Sequence, residues 1–344
     1  MFTTQPAAGR RTALLPLLIL VLFGCMTACK STTDNTPTLS SINDLLVNGN
    51  GSAGNKFTLL NAALKRTGLD ATLGQPGTYT LFAPTDDAFK AFGYADLNSI
   101  NNAPLPVLQS VLQYHLVGSR LEASAIPTGV NNAQATAGGS TAYISRTTST
   151  SATSTTATST TATVFSINGA RILSSGTPAS NGIVYPIDRV LLPPLFGNIV
   201  NTIQGIPTLL PTASFTFLNA AVGRVGAISS LTATGPITIF APTDAAFTAA
   251  RPTIRTVADI NAMNVDTLRK ILTYHLVNGR IYTPLVSAGQ SLTTAQGGVV
   301  TAGASTTALT VTGKSNGGTA STITGPDITA TNGVIHIIDR LLLP

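Results

Sequence analysis

Leu81-Phe-Ala-Pro-Thr-Asp-Asp-Ala-Phe89 returns as Ile239-Phe-Ala-Pro-Thr-Asp-Ala-Ala-Phe247, and 239 − 81 gives a shift of 158 residues. Each stretch begins as a short β-prone apolar run, Thr78 to Ala83 in the first case and Pro236 to Ala241 in the second. Proline ends the run, because a residue without an N–H cannot donate to a sheet ladder. A helix start follows. Thr85 and Thr243 suit the N-cap, and Asp86 and Asp244 fall in the first turn, where a carboxylate meets unpaired N–H groups and the positive end of the helix dipole.

The repeat extends in both directions. Upstream, Phe57-Thr-Leu-Leu-Asn-Ala-Ala-Leu64 recurs as Phe215-Thr-Phe-Leu-Asn-Ala-Ala-Val222, again at 215 − 57 = 158. Downstream, Tyr114-His-Leu-Val117 recurs as Tyr274-His-Leu-Val277 at a shift of 160. Asn181-Gly-Ile-Val-Tyr-Pro-Ile-Asp-Arg-Val-Leu-Leu-Pro193 recurs as Asn332-Gly-Val-Ile-His-Ile-Ile-Asp-Arg-Leu-Leu-Leu-Pro344 at 151. Four blocks in one order indicate a duplicated domain. The first copy is 160 − 151 = 9 residues longer between the last two blocks, and that interval holds Thr147 to Thr163, almost wholly Ser, Thr and Ala. A tract with so few large apolar groups has little to offset its ordering entropy, which predicts a mobile loop over about 146–163.

Within each copy, Phe57, Leu60 and Leu64 fall at the spacing of one helix face. Leu105, Leu108, Leu112 and His115 share another such face, as do Leu268, Ile271, Leu272 and His275, so both motif histidines are expected to point inward. The Thr-, Val- and Gly-rich interval after Tyr-His predicts several short strands, and each copy closes on an Asn-Gly turn and an apolar strand.

The 344 residues exceed one ordinary core and suit two. Charged residues are 9%, aromatics 6%, Trp is absent and the mean hydropathy is +0.31, the balance of a β-rich extracytoplasmic protein. The net charge of +6 includes Arg10 and Arg11, so without them it is 17 − 13 = +4. With basic residues scattered and not interleaved with aromatics, no nucleic-acid partner is expected. Arg10-Arg11 precede an apolar stretch from Ala13 to Gly24, too short to span a bilayer, which reads as a signal peptide. Both cysteines of the chain, Cys25 and Cys29, sit at its end, each after a small residue. Met26-Thr27-Ala28-Cys29 resembles a lipobox, making Cys29 the expected lipidation site with Cys25 as the alternative. The expected organisation is a leader at 1–28, a polar tether at 29–39, and domains at 40–194 and 195–344.

The phrases Phe-Ala-Pro-Thr-Asp-x-Ala-Phe, then Tyr-His-Leu-Val, then Asn-Gly-Val-Ile-His-x-Ile-Asp-x-x-Leu-Leu-Pro resemble the fasciclin domain family, in order and twice, over nearly everything from Ser40 to Pro344. The resemblance implies an α+β fold: two tandem domains, each a twisted β-wedge or sandwich with helices packed at one end. It also implies adhesion or ligand binding in place of catalysis. In animal relatives the Tyr-His region and a Pro-Asp-Ile element are linked to integrin recognition. The matches here are Tyr114-His115, Tyr274-His275 and Gly325-Pro326-Asp327-Ile328-Thr329, the last with Gly and Thr in place of its acidic and Met ends. The first copy has Thr177-Pro178-Ala179-Ser180 there, and Tyr185 where the second has His336.

The bottom-up reading assigns most of these residues to structure. His115 and His275, with Tyr114 and Tyr274, read as packed and hydrogen-bonded, Asp86 and Asp244 as caps, and His336 as packing or surface. Pro326, Asp327 and Ile328 are the expected contact surface. Three dispersed histidines lack metal-ligand spacing, and no zinc-protease, nucleophile-elbow or phosphate-loop motif occurs, so no catalytic residue, metal or cofactor is expected. The sequence thus predicts a lipid-anchored envelope protein, on the outer membrane, that binds by protein contact. The alternative is a glycan- or polysaccharide-binding lipoprotein of an uptake or matrix system, which the scarcity of aromatics disfavours.

Overall fold

The apolar spacing and caps at the start of each copy give helices, and the Thr- and Val-rich remainder gives strands. The computed structural model describes residues 39–48, 56–151, 160–210, 212–232, 235–305 and 308–344. In the first copy α1 (Ile42–Val47), α2 (Thr58–Thr67) and α3 (Leu69–Gly74) precede β1 (Tyr79–Pro84), and α4 (Asp86–Phe92), α5 (Leu97–Asn102) and α6 (Leu105–Tyr114) follow it. Strands β2 (Leu116–Val117), β3 (Gly129–Ala135), β4 (Thr141–Ser151), β5 (Thr160–Ile167), β6 (Ala170–Arg171), β7 (Thr177–Ala179) and β8 (Gly182–Ile187) complete it. The second copy runs α7 (Ile199–Leu209), α8 (Thr216–Val225), α9 (Ile228–Thr232), β9 (Ile237–Pro242), α10 (Asp244–Ala250), α11 (Val257–Ala262), α12 (Val265–Tyr274) and β10 (Leu276–Asn278). A 3-10 turn at Thr283–Leu285 leads into β11 (Ser291–Thr293), β12 (Val299–Ala304), β13 (Leu309–Gly313), β14 (Ser321–Ala330) and β15 (Gly333–Ile338).

The fold is α+β. The first copy has two sheets, ordered β2-β1-β8-β7 and β3-β4-β5-β6, and the second a single sheet ordered β10-β9-β15-β14-β13-β12-β11. In each copy the strand after the first helices pairs in parallel with the last strand, Tyr79 opposite Gly182 and Ile237 opposite Gly333. Every residue of β8 and β15 is buried, as befits strands covered on both faces. Leu81, Ala83 and Val184 face the helices, where they join Leu60, Phe89 and Leu112. Phe82, Ile183, Tyr185 and Ile187 face the strand layer and join Ile144 and Ile167. The second copy repeats this division around Ile239 and Ile335 on one side and Phe240 and Ile338 on the other.

Each closing turn ties the copy's first helix to its last strand. Ser180-Asn181 and Thr331-Asn332 are the two turn residues, and the glycine that follows opens the strand, so the expected Asn-Gly turn is displaced by one residue. The Asn181 side-chain Oδ1 accepts from Ile42 N at 2.9 Å, and its Nδ2 donates to Leu73 O at 2.7 Å. Asn332 does the same with Ile199 N at 2.9 Å and Leu231 O at 2.8 Å. Gly182 and Gly333 are needed for close approach, since an added Cβ would lie 2.1 Å from the Tyr79 carbonyl oxygen and 2.0 Å from that of Ile237.

Two sequence expectations need correction here. Leu105 does not share the buried face of α6 but is 45% exposed, because it occupies the first helical position, beyond the turn that packs. The Ser/Thr tract is not a loop throughout: β4 and β5 form a hairpin through it, with Thr147 opposite Val164 and Ser151 opposite Thr160. Ladder hydrogen bonds and β-branched Thr support that ribbon without large apolar side chains. Its residues 152–159, like Cys25, Cys29, the leader and most of the tether, lie outside the described residues.

A Gly333→Ala substitution should cost on the order of 3 kcal/mol in urea unfolding, because its neighbour is backbone and cannot give way. Gly223→Ala, in α8 with open space around it, should be neutral or stabilise by up to about 1 kcal/mol. Equal effects would contradict the close-packed closure.

Candidate functional site

The motif residues converge on the ends of the helices and on the closing segment, and nearly all their polar atoms are engaged. Thr85 and Thr243 cap α4 and α10, accepting from Ala88 N at 3.2 Å and Ala246 N at 3.3 Å. The adjacent carboxylates reach further than the first turn of their own helix. Asp86 accepts from Leu59 N at 2.8 Å, and Asp244 from Phe217 N at 2.8 Å and Thr216 N at 3.2 Å. The N-caps of helices α2 and α8 are Phe57 and Phe215, whose side chains cannot accept a hydrogen bond, so the aspartates supply the missing acceptor across a gap in sequence.

Both motif histidines are completely enclosed. His115 Nδ1–H donates to Val111 O at 2.7 Å, and its Nε2 accepts from Leu191 N at 2.9 Å. His275 repeats this with Ile271 O at 2.7 Å and Leu342 N at 2.9 Å. Each ring therefore pins the Leu-Leu-Pro segment to the end of a helix, and the pattern requires the neutral Nδ1–H tautomer. Burial pushes both imidazoles down from 6.5 to about 4, the hydrogen bond to the helix carbonyl opposing it. A depressed histidine contributes stability that is fully present above pH 6.5 and is lost as the pH falls toward about 4, since the unfolded chain takes up the proton first. The neighbouring tyrosines are buried as well. Tyr114 donates to Thr141 O at 2.9 Å and accepts from Asn168 Nδ2 at 2.7 Å, while Tyr274 accepts from Lys314 N at 3.0 Å.

The expectation of a contact surface at Pro326, Asp327 and Ile328 is corrected. Strand β14 is irregular between Gly325 and Ile328, and Asp327 takes a left-handed φ of 63°, which turns its side chain inward. The carboxylate is fully buried, pairs with Arg189 of the first copy, and accepts from Thr283 N at 2.7 Å and from the Thr283 hydroxyl. Gly169, in the tight Asn168-Gly169 turn between β5 and β6, lies so close that an added Cβ would be 2.2 Å from Asp327 Cγ. Ile328 packs against the core of the second copy, and Pro326 borders a cavity of about 690 Å³ with Arg171 and Arg189. Asp327 thus sits at the junction between the copies. Among the described residues no group of His, Cys, Asp and Glu is placed to hold a metal ion, and no helix is long and apolar enough to cross a membrane.

The fasciclin domain model matches residues 55–193 and 213–344, both copies of the repeat. The chain belongs to the fasciclin domain family. It is 30% identical over 272 residues to the transforming growth factor-beta-induced protein ig-h3 of Sus scrofa, covering 78% of this chain and 35% of that one. It is 39% identical over 131 residues to protein sll1483 of Synechocystis sp., covering 38% of this chain and 68% of that protein. Among solved structures it is similar to a FAS1 domain pair of the insect cell adhesion molecule fasciclin I, with a TM-score of 0.39, 17% identity, and 88% and 96% of the two chains covered. The chain spans about a third of the length of the first of these relatives.

Two features of these fasciclin domains escaped the sequence reading. Arg120 and Arg280 stand at the 160-residue shift of the Tyr-His block, and each clamps the carbonyls of the closing turn. Arg120 donates to Ala179 O at 3.0 Å and Gly182 O at 2.6 Å, and Arg280 to Ala330 O at 3.0 Å and Gly333 O at 2.7 Å. Their recurrence after Leu-Val was the available signal. Tyr185 and His336 look like a mismatch in sequence but do one job. Tyr185 stacks on Phe82 at 5.7 Å and donates to Leu121 O at 2.7 Å; His336 stacks on Phe240 at 5.6 Å and donates through Nε2 to Ile281 O at 2.8 Å. His336 Nδ1 also accepts from Asp327 N at 3.1 Å, and burial lowers its pKa against the pull of the Asp327 carboxylate. His336 is therefore a packing residue and not a surface one.

Asp327→Ala should destabilise the folded chain by roughly 2–3 kcal/mol in thermal or urea unfolding, less than for a wholly enclosed pair because the Arg189 side chain is 36% exposed. An unchanged melting curve would contradict its place at the junction.

Proposed function

We propose that this protein is a non-enzymatic adhesion protein of the cell envelope that binds its partner by protein contact through its fasciclin domains. Fasciclin domains are known from cell-adhesion proteins. The observation that carries the reading is the engagement of the motif histidines. These two and His336 are buried, each ring nitrogen has a backbone partner, and burial pushes His115 and His275 down to about 4 and lowers His336. Histidines so engaged serve the framework, which assigns recognition to the outer surface and its grooves. Lipidation at Cys29 would tether the pair to the membrane across the short polar segment before Leu39.

Cells displaying the full chain should attach to protein-coated surfaces or to partner cells, and cells lacking it should not. Protease treatment of the partner surface should abolish attachment, and glycosidase treatment should leave it. Cys29→Ser should release the chain from membranes and reduce attachment to the level of cells without it. Attachment that is indifferent to loss of the chain would overturn the proposal.

A further inference from the structure

An open groove of about 800 Å³ lies where the first fasciclin domain meets the second. Asn131 and Tyr143 line it from β3 and β4, and Asn198, Asn201, Arg280 and Thr331 from the second domain. Among the described residues no carboxylate lines it. The single charge, Arg280, is already held: its guanidinium donates to the carbonyls of Ala330, Gly333 and Thr331 and lies 4.3 Å from the centre of the Tyr143 ring. An anionic ligand would have to compete with those carbonyls.

The remaining polar groups are amides and hydroxyls, and several have no protein partner. Asn131 takes a left-handed φ of 58° where β3 is irregular, donates from its amide to Arg280 O at 2.8 Å, and leaves its buried Oδ1 without a donor. Such an acceptor is costly to bury unless something donates to it. The exposed Asn201 amide and the hydroxyls of Tyr143 and Thr331 make no hydrogen bond among the described residues.

The first domain supplies an internal comparison. Its corresponding positions build the same corner from Ser41, Asp44, Arg120 and Asn181, but there Asp44 closes a capping box with Ser41, and Arg120 pairs with Glu122 at 2.6 Å. At the equivalent positions of the second domain Asn201 replaces Asp44 and Tyr282 replaces Glu122. One corner is charged and satisfied within itself. The other carries one guanidinium, held by its own domain's carbonyls, and amide and hydroxyl groups without a protein partner that both donate and accept.

Amides that donate and accept, free hydroxyls, a partly exposed aromatic ring and no free charge complement a neutral polyhydroxylated molecule. We infer that this groove binds a neutral saccharide. The site is separate from the protein-contact reading, and the two stand or fall independently.

The test is titration of the full chain, by calorimetry and ligand-observed NMR, with cellotetraose, maltotetraose and mannotetraose, and with tri-galacturonic acid as the charged counterpart. At least one neutral probe should bind saturably in roughly the millimolar range or tighter. Asn201→Ala should weaken that binding about tenfold without moving the melting point, because Asn201 makes no internal side-chain bond. Asn201→Asp, which restores the first domain's charge, should weaken it too, and Asp44→Asn should not. Protein-dependent cell attachment should persist in Asn201→Ala, which separates this site from the adhesion surface. No binding by any neutral probe, binding unaltered by both Asn201 variants, or tighter binding of the galacturonate would overturn the inference.

Discussion

The parallel pairing of the first and last strands of each domain is the constraint from which the rest follows. Tyr79–Pro84 lies beside Gly182–Ile187, and Ile237–Pro242 beside Gly333–Ile338, so strands about a hundred residues apart are neighbours in the middle of a buried layer. A pairing of such sequence separation pays a large loop-closure entropy before any contact rewards it. The polar residues of the repeat are spent on holding that closure. Asn181 and Asn332 bind the first helix to the closing turn, Arg120 and Arg280 hold the turn's carbonyls, and His115 and His275 fix the segment after the last strand.

This explains why the repeated residues look like chemistry and act as framework. A buried histidine with both nitrogens satisfied is a neutral crosslink between a helix end and a β-segment, and burial is what keeps it neutral. An aspartate after a capping threonine satisfies a second helix whose own N-cap is a phenylalanine. In the second domain the same economy extends outward, because Asp327 spends its charge on Arg189 of the first and so joins the domains.

Much of this was legible in the sequence, and the failures have physical causes. The duplicated blocks carried the domain pair, and helical spacing turned His115 and His275 inward, because both signals are local and periodic. The Asp327 position was misread because a β-bulge and a left-handed residue invert the direction of a side chain, and neither leaves a mark in the pattern of residues. The Ser/Thr ribbon departs from the expected loop because β4 and β5 are held by their ladder, a source of order that side-chain burial does not register. The equivalence of Tyr185 and His336 is invisible in sequence because it rests on ring stacking and on a carbonyl acceptor in the segment after β2 or β10. The amide-lined groove assembles residues from six separate segments, which no linear motif records.

The central claim is that the motif histidines are structural and neutral. Nitrogen-15 NMR of the imidazole rings reads this directly, across a titration from pH 7 toward the acid limit of folding. The account predicts that His115 and His275 show the neutral Nδ1–H pattern throughout, with no titration near their ordinary 6.5, and change only when the domain unfolds. A folded protein in which either ring titrates with a pKa near 6.5, or shows the Nε2–H tautomer at neutral pH, would contradict it.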